Sequence, residues 1–109
     1  TDFRAYLPRF AEANASSNRR AQEALVALGK ARGVTTAQLA IAWVLSRGTD
    51  IVPVIGARTR AQLADALGAV SLELSPQELE AIERAVTPDS VVGPRYAPEH
   101  MKNLDSERA

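Results

Sequence analysis

Four residues just past the middle of the chain have the types and the spacing needed to bind an anion. Gly56 follows a short apolar run, Arg58 supplies a fixed positive charge, and Thr59 and Gln62 have the spacing of a helix capping box. A helix that begins there presents unpaired backbone amides and the positive end of its dipole to a ligand. This chemistry favours a phosphate. A simpler interpretation stays open, in which Thr59 and Gln62 only cap a helix and Arg58 is a solvated surface charge.

Two elements must hold this group of residues in place. Residues 51–55 form a β-branched run that predicts a short strand buried on both faces, with Pro53 limiting its length. Gly56 then allows a sharp turn or a close approach to a ligand. A helix is predicted from Arg60 to about Gly68, with Leu63 and Leu67 as its inward-facing pair.

The rest of the sequence predicts three more helices between two irregular ends. Residues 1–17 read as a loop because Pro8 and the run Asn-Ala-Ser-Ser at 14–17 disfavour a helix. Capping boxes, Thr35 with Gln38 and Ser75 with Glu78, begin two of the helices, and Gly33 suits the end of the other. The predicted bounds are a loop over 1–17, helices within 18–47, a strand and its helix over 51–68, a closing helix over 75–86 and a tail over 87–109.

Composition excludes several classes of function. The 109 residues carry 13 basic and 13 acidic side chains, and this balance gives no case for nucleic acid or an anionic membrane as a partner. The absence of cysteine excludes disulfides and thiolate metal sites, and we predict no metal site. The longest apolar run, residues 39–45, is too short to span a bilayer, and no signal segment opens the chain. A cytoplasmic location is expected.

The predicted elements are incomplete as a fold. A single strand leaves its backbone groups without partners, and residues 70–74 offer at most one short neighbour. The order helix, helix, strand, helix is typical of a piece cut from a barrel or sheet of alternating strands and helices. We therefore expect the neighbouring strands on polypeptide that is not in this sequence.

Three segments carry a resemblance to a known family. They are TTAQLAIAWVLSR (35–47), DIVPVIGARTRAQLADAL (50–67) and LSPQELEAIERAV (74–86). Together they resemble the C-terminal third of the aldo-keto reductases, nearest to the bacterial branch related to pyridoxal reductase. The resemblance implies an α/β fold, the C-terminal segment of a (β/α)8 TIM barrel. Residues 51–55 would then be strand eight, and phosphate binding in such barrels gathers after strands seven and eight.

The resemblance also implies a cofactor, NADPH, and the residues that bind it. Arg58 would be the cation for the adenosine 2′-phosphate, Gln62 would contact phosphate or ribose, and Asp65 would accept from the adenine amino group. Preference for NADP over NAD follows, because an arginine fork matches a phosphate. The implied cofactor-binding residues are Ile55, Gly56, Ala57, Arg58, Gln62, Asp65 and Ala66. Two of them depart from the family pattern: many relatives have lysine at the position of Gly56, and relatives often have asparagine at the position of Ala66.

By the same resemblance, the whole enzyme would reduce a small aldehyde or ketone by hydride transfer. The catalytic tyrosine, lysine, aspartate and histidine of the family lie on earlier strands of the barrel. Tyr6, Tyr96 and His100 of this chain match none of them. The chain alone is therefore expected to be inactive, with the N-terminal portion of the barrel as its partner, on the same polypeptide or a separate one. Two alternatives remain: a non-catalytic NADPH-sensing protein on the same barrel, and a free-standing helical interaction domain.

Overall fold

The computed structural model describes residues 2–105, and most of these residues are helical. No β-strand occurs within this range. The α-helices are α1 (Glu12–Arg32), α2 (Thr36–Ser46), α3 (Arg60–Leu67), α4 (Pro76–Ala85) and α5 (Pro98–Met101), with short 3-10 helices at Phe3–Tyr6, Pro8–Phe10, Gly68–Ser71 and Pro88–Ser90. The chain divides into a central unit, Glu23–Val86, and a terminal unit made from the chain on either side of it.

The helix starts that rested on capping boxes are confirmed. The side chains of Thr35, Thr59 and Ser75 each accept a hydrogen bond from the backbone amide three residues on. The side-chain oxygen at that third position in turn accepts one from the backbone amide of the cap residue. Helices α2, α3 and α4 begin at the residue after each cap. Gly33, directly after α1, has a φ of 76°, the left-handed conformation typical of a helix C′ residue.

The prediction of a buried barrel strand over residues 51–55 is wrong. The segment is irregular, and the side chains of Val52 and Val54 are 84% and 100% exposed. A strand exists only when a neighbour takes up its backbone hydrogen bonds, and the described part of the chain offers no such neighbour to this segment. Over residues 2–105 the structure is therefore helical rather than α/β.

Helix α1 begins earlier than the sequence predicted. It starts at Glu12, inside the segment that was expected to be a loop through residue 17. Asn14 and Asn18, whose type disfavours helix interiors, use their side chains for contacts outside the helix: Asn14 Nδ2 donates to the Pro8 carbonyl at 2.9 Å and Asn18 Nδ2 to the Arg9 carbonyl at 3.0 Å. These bonds remove the competition with the helix backbone that usually makes asparagine a helix breaker.

The core of the central unit is small. It consists of Leu39 and Ala42 from α2, Ala66 from α3, Ala69 from the following 3-10 helix and Ile82 from α4. Helix α3 and that 3-10 helix pack against α2 through alanines. The expected inward pair of α3, Leu63 and Leu67, is wrong: both are about half exposed, and the residue of α3 that is buried is Ala66.

Charged contacts join the helices of the central unit at its surface. Arg32 Nη1 pairs with Glu78 Oε1 at 2.9 Å, and Arg47 Nη1 pairs with Glu83 Oε1 at 2.8 Å. The Arg47 guanidinium also lies 5.4 Å from the ring centroid of Trp43, within cation–π range. The Trp43 indole N–H is buried and has no hydrogen-bond partner among the described residues.

The terminal unit is held by side-chain to backbone hydrogen bonds. Asn18 bridges two segments, since Val92 N donates to its Oδ1 at 2.8 Å and its Nδ2 donates to the Val92 carbonyl at 3.0 Å. Arg9 Nε donates to the Gly93 carbonyl at 3.1 Å. Gly93 has a φ of 94°, and an added Cβ would meet Asn14 Nδ2 at 2.7 Å, so this position requires glycine. The two tyrosines, Tyr6 and Tyr96, both belong to this unit.

Candidate functional site

The candidate site is the segment from Ile55 to Thr59 and the first turn of α3. Ile55, Gly56, Ala57 and Arg58 are all exposed. Thr59, in an extended conformation with φ −127° and ψ 157°, ends the segment as the N-cap of α3. The sequence predicted this cap from the Thr59–Gln62 spacing, and the capping box is present.

Gln62 fixes the backbone that carries Arg58. Its Oε1 accepts from Arg58 N at 2.8 Å and from Thr59 N at 3.2 Å, while Gln62 N donates to Thr59 Oγ1 at 3.1 Å. Arg58 is therefore anchored to α3 although it precedes the helix. With Oε1 occupied, Gln62 keeps only its amide N–H groups for a ligand, and these are donors suited to an anion.

The electrostatic character of this helix end is positive. Arg58 and Arg60 are exposed, and neither pairs with a carboxylate within residues 2–105. The amides of Arg60 and Ala61, the first two residues of α3, also have no acceptor in the described part of the chain. The two guanidinium groups, the free amides and the helix dipole all make the electrostatic potential at this helix end positive. Such a helix end can bind phosphate or carboxylate groups.

Gly56 lies in open space. Apart from its two chain neighbours, no described residue comes within 4 Å of where a Cβ would lie on Gly56, and positive φ values in residues 2–105 occur only at Gly33 and Gly93. The turn expected at Gly56 therefore needs no left-handed backbone. A longer side chain fits here without displacing a neighbour, and it would extend into solvent beside Arg58.

Asp65 and Ala66 are held against α2. Asp65 Oδ2 accepts from Thr35 Oγ1 at 3.0 Å, and the Asp65 carbonyl accepts from Gln38 Nε2 at 2.9 Å. Asp65 keeps its other carboxylate oxygen for a ligand. Ala66 is 4% exposed and lies in the contact between α3 and α2.

Sequence reasoning missed the connection from Thr35 and Gln38 to Asp65. Both residues were identified as a capping box, a contact within a single helix. The structure gives each a second function, because Thr35 Oγ1 also donates to Asp65 and the Gln38 amide also crosses to α3. The local pattern contains no signal for a partner 27 or 30 residues away.

Within residues 2–105, no group of three or more His, Asp or Glu side chains has the arrangement of a metal site. No helix among these residues has the length and apolar character required to cross a membrane.

Comparison with known proteins identifies the family. Residues 3–87 match the model of the aldo/keto reductase family. The chain is 39% identical over 89 residues to "Probable aldo-keto reductase 1" of Glycine max, covering 82% of this chain and 26% of that protein. It is 32% identical over 97 residues to "Aldo-keto reductase yakc (NADP(+))" of Schizosaccharomyces pombe, covering 89% of this chain and 28% of that protein.

The chain thus spans about a quarter of the length of the curated relatives it matches. No solved structure matches it. The family model nonetheless extends over more than three quarters of the chain and includes the candidate site within its bounds. The chain belongs to the aldo/keto reductase family.

Proposed function

We propose that this chain forms the NADPH-binding portion of an aldo-keto reductase that reduces aldehydes or ketones. One observation carries the proposal: Arg58 is exposed, its backbone amide is bonded to Gln62 at the N-terminal end of a capped helix, and its guanidinium has no ion-pair partner within residues 2–105. The name of the Schizosaccharomyces pombe relative, which specifies NADP(+), supports the choice of cofactor. The resemblance to the C-terminal third of such enzymes, nearest the bacterial pyridoxal reductase-related branch, belongs to the same proposal.

The residues at the candidate site would divide the recognition of NADPH among them. Arg58 would bind the 2′-phosphate through its guanidinium fork, and the N–H groups of Gln62 would add a neutral donor. The free oxygen of Asp65 would accept from the adenine amino group. Ile55, Gly56 and Ala57 would line the phosphate from the exposed segment, and Ala66 would support the helix from beneath.

The chemistry requires more than this chain. Bound NADPH supplies the hydride, and we propose that the residues that orient and protonate the carbonyl lie on the remainder of the reductase, on the same polypeptide or a separate one. The contribution of this chain is to bind and orient the adenosine end of the cofactor. Remote binding of this kind contributes to rate by fixing the position of the reacting group.

The first test is a titration of the purified natural protein with NADPH, followed by nicotinamide fluorescence, with denaturing mass spectrometry of the same sample. We expect saturable binding and a polypeptide, or a second chain, that accounts for the rest of the reductase. A single 11.7 kDa species that does not bind NADPH would refute the proposal.

Arg58→Ala is the residue-level test, and Arg60→Ala is its matched control. Both arginines are exposed and unpaired in the described structure, two positions apart. Loss of charge-assisted hydrogen bonds worth about 1.5–3 kcal/mol weakens binding roughly 10- to 100-fold. We expect this loss for NADPH in Arg58→Ala, a clearly smaller loss in Arg60→Ala, which removes only nearby positive charge, and no change for NADH in either variant. Equal losses in both variants would show that Arg58 acts only through general positive charge.

Turnover separates the enzyme from a cofactor sensor. Oxidation of NADPH in the presence of a panel of small aldehydes and ketones is the expected result for the complete protein. Tight NADPH binding without turnover of any carbonyl would support the proposed cofactor site and refute the proposed reductase activity.

A further inference from the structure

Two arginines that form no ion pair among the described residues lie in the terminal unit, around a cavity of about 480 Å³. Arg9 and Arg19 line it together with the amide side chain of Gln22, and Phe10 and Val91 add apolar surface. A volume of this order accommodates a small organic molecule rather than only an ion. The cavity thus combines two cationic groups with an apolar wall.

The walls of this cavity are fixed by hydrogen bonds. Asn18, which also lines the cavity, donates from Nδ2 to the carbonyls of Arg9 and Val92 and accepts from Val92 N. Arg9 Nε is held by the Gly93 carbonyl. Because the Asn18 amide is used for these contacts, the polar groups left for a ligand are the two guanidinium ends and Gln22.

Neither arginine of the cavity forms an ion pair within residues 2–105. Four other arginines, Arg4, Arg32, Arg47 and Arg84, each pair with a carboxylate, whereas Arg9 and Arg19 pair with none in the described part of the chain. Arg9 is half-buried, and only its Nε has an acceptor within the same residues. A partly desolvated cation without a counter-ion is unfavourable, and an anion in the cavity would relieve that cost.

We propose that this cavity binds an organic carboxylate with an apolar body, such as an aromatic or aliphatic acid. The guanidinium ends of Arg9 and Arg19 bind the carboxylate as planar forks, a geometry that lysine does not provide. Phe10 and Val91 contact the apolar body. The inference rests on residues of the terminal unit and does not depend on the NADPH site.

The test is isothermal titration calorimetry on protein that contains the whole chain, with benzoate as the probe and benzamide as its neutral counterpart. Benzoate is expected to bind and benzamide to bind at least about tenfold more weakly, because the charge-assisted bonds are lost. Absence of benzoate binding, or equal binding of the two probes, overturns the proposal.

The matched variants are Arg19→Ala and Arg20→Ala. Both residues are exposed neighbours on α1, but only Arg19 lines the cavity, and its side chain makes no contact on which folding depends among the described hydrogen bonds and ion pairs. Arg19→Ala should weaken benzoate binding about tenfold and Arg20→Ala should leave it unchanged. An equal loss of benzoate binding in the two variants would show that only the general positive charge matters, and it would refute the proposed site.

Inorganic phosphate distinguishes the ligand class. If phosphate binds more tightly than benzoate and this binding is lost in Arg19→Ala, the site selects a phosphate group and the apolar wall has no role. That result would overturn the assignment to carboxylates. Weaker binding of phosphate than of benzoate supports it.

Discussion

Replacing Gln38 by alanine should weaken the contact between α2 and α3. The side chain makes two hydrogen bonds: its Oε1 accepts from Thr35 N at 3.2 Å, and its Nε2 donates to the Asp65 carbonyl at 2.9 Å in a partly buried position. A typical intramolecular hydrogen bond contributes about 1 kcal/mol net, so the two together amount to about 2 kcal/mol in the free energy of unfolding. The higher helix propensity of alanine offsets only a few tenths of a kcal/mol.

Urea unfolding followed by far-UV circular dichroism measures this loss. Gln77→Ala is the matched control. Gln77 is exposed in the first turn of α4, and its side chain forms no hydrogen bond with any of the described residues. We expect Gln38→Ala to lower the free energy of unfolding by about 2 kcal/mol and Gln77→Ala to change it by less than about 0.5 kcal/mol.

Amide hydrogen exchange locates the effect. The protection of α3 amides should fall in Gln38→Ala, since the crossing bond to Asp65 ties that helix to α2, while α4 should keep its protection. Equal stability of the two glutamine variants, or unchanged protection in α3, would refute the view that Gln38 links the helices rather than only capping α2.

Two further predictions concern charge. The Ser75 backbone amide, which donates to Glu78, and Arg32 beside it hold the pKa of the Glu78 carboxyl below its ordinary value of 4.5. A lowered folded-state pKa contributes stability that is present above that ordinary value and is lost as pH falls through the folded-state pKa. The advantage of wild type over Glu78→Gln in urea unfolding should therefore be constant well above pH 4.5 and shrink as pH is lowered below it; a difference that stays constant below pH 4.5 would contradict this. Gly56→Lys should tighten NADPH binding about threefold in the fluorescence titration, since an exposed ion pair contributes up to about 1 kcal/mol, whereas Gly56→Gln should not; equal gains for NADH would exclude a contact with the 2′-phosphate.

Local signals made the helix starts predictable. A capping box involves residues three positions apart, so all the residues that determine the cap at Thr59 lie between Thr59 and Gln62. The same holds for Gly33, because the left-handed backbone conformation at the end of a helix is by itself enough to favour glycine. The core of the candidate site, Arg58 on a capped helix end, was accessible from the sequence for this reason.

Non-local causes explain what the sequence did not reveal. The apolar run at residues 51–55 has the composition of a buried strand, but composition does not provide the neighbouring backbone that a strand requires. Membership of the aldo/keto reductase family fits a segment of a (β/α)8 barrel, yet residues 2–105 contain no strand. The early start of α1 was missed because the partners of Asn14 and Asn18 lie outside the helix.

The distribution of aromatic side chains gives the two units different optical properties. Trp43, the sole tryptophan of the chain, lies in the central unit with the Arg47 guanidinium over its ring, and both tyrosines lie in the terminal unit. Excitation of the indole alone therefore reports on residues 23–86, while tyrosine emission reports on the rest of the chain. Without any added label, fluorescence can follow the melting of each unit separately and reveal whether the two lose their structure together.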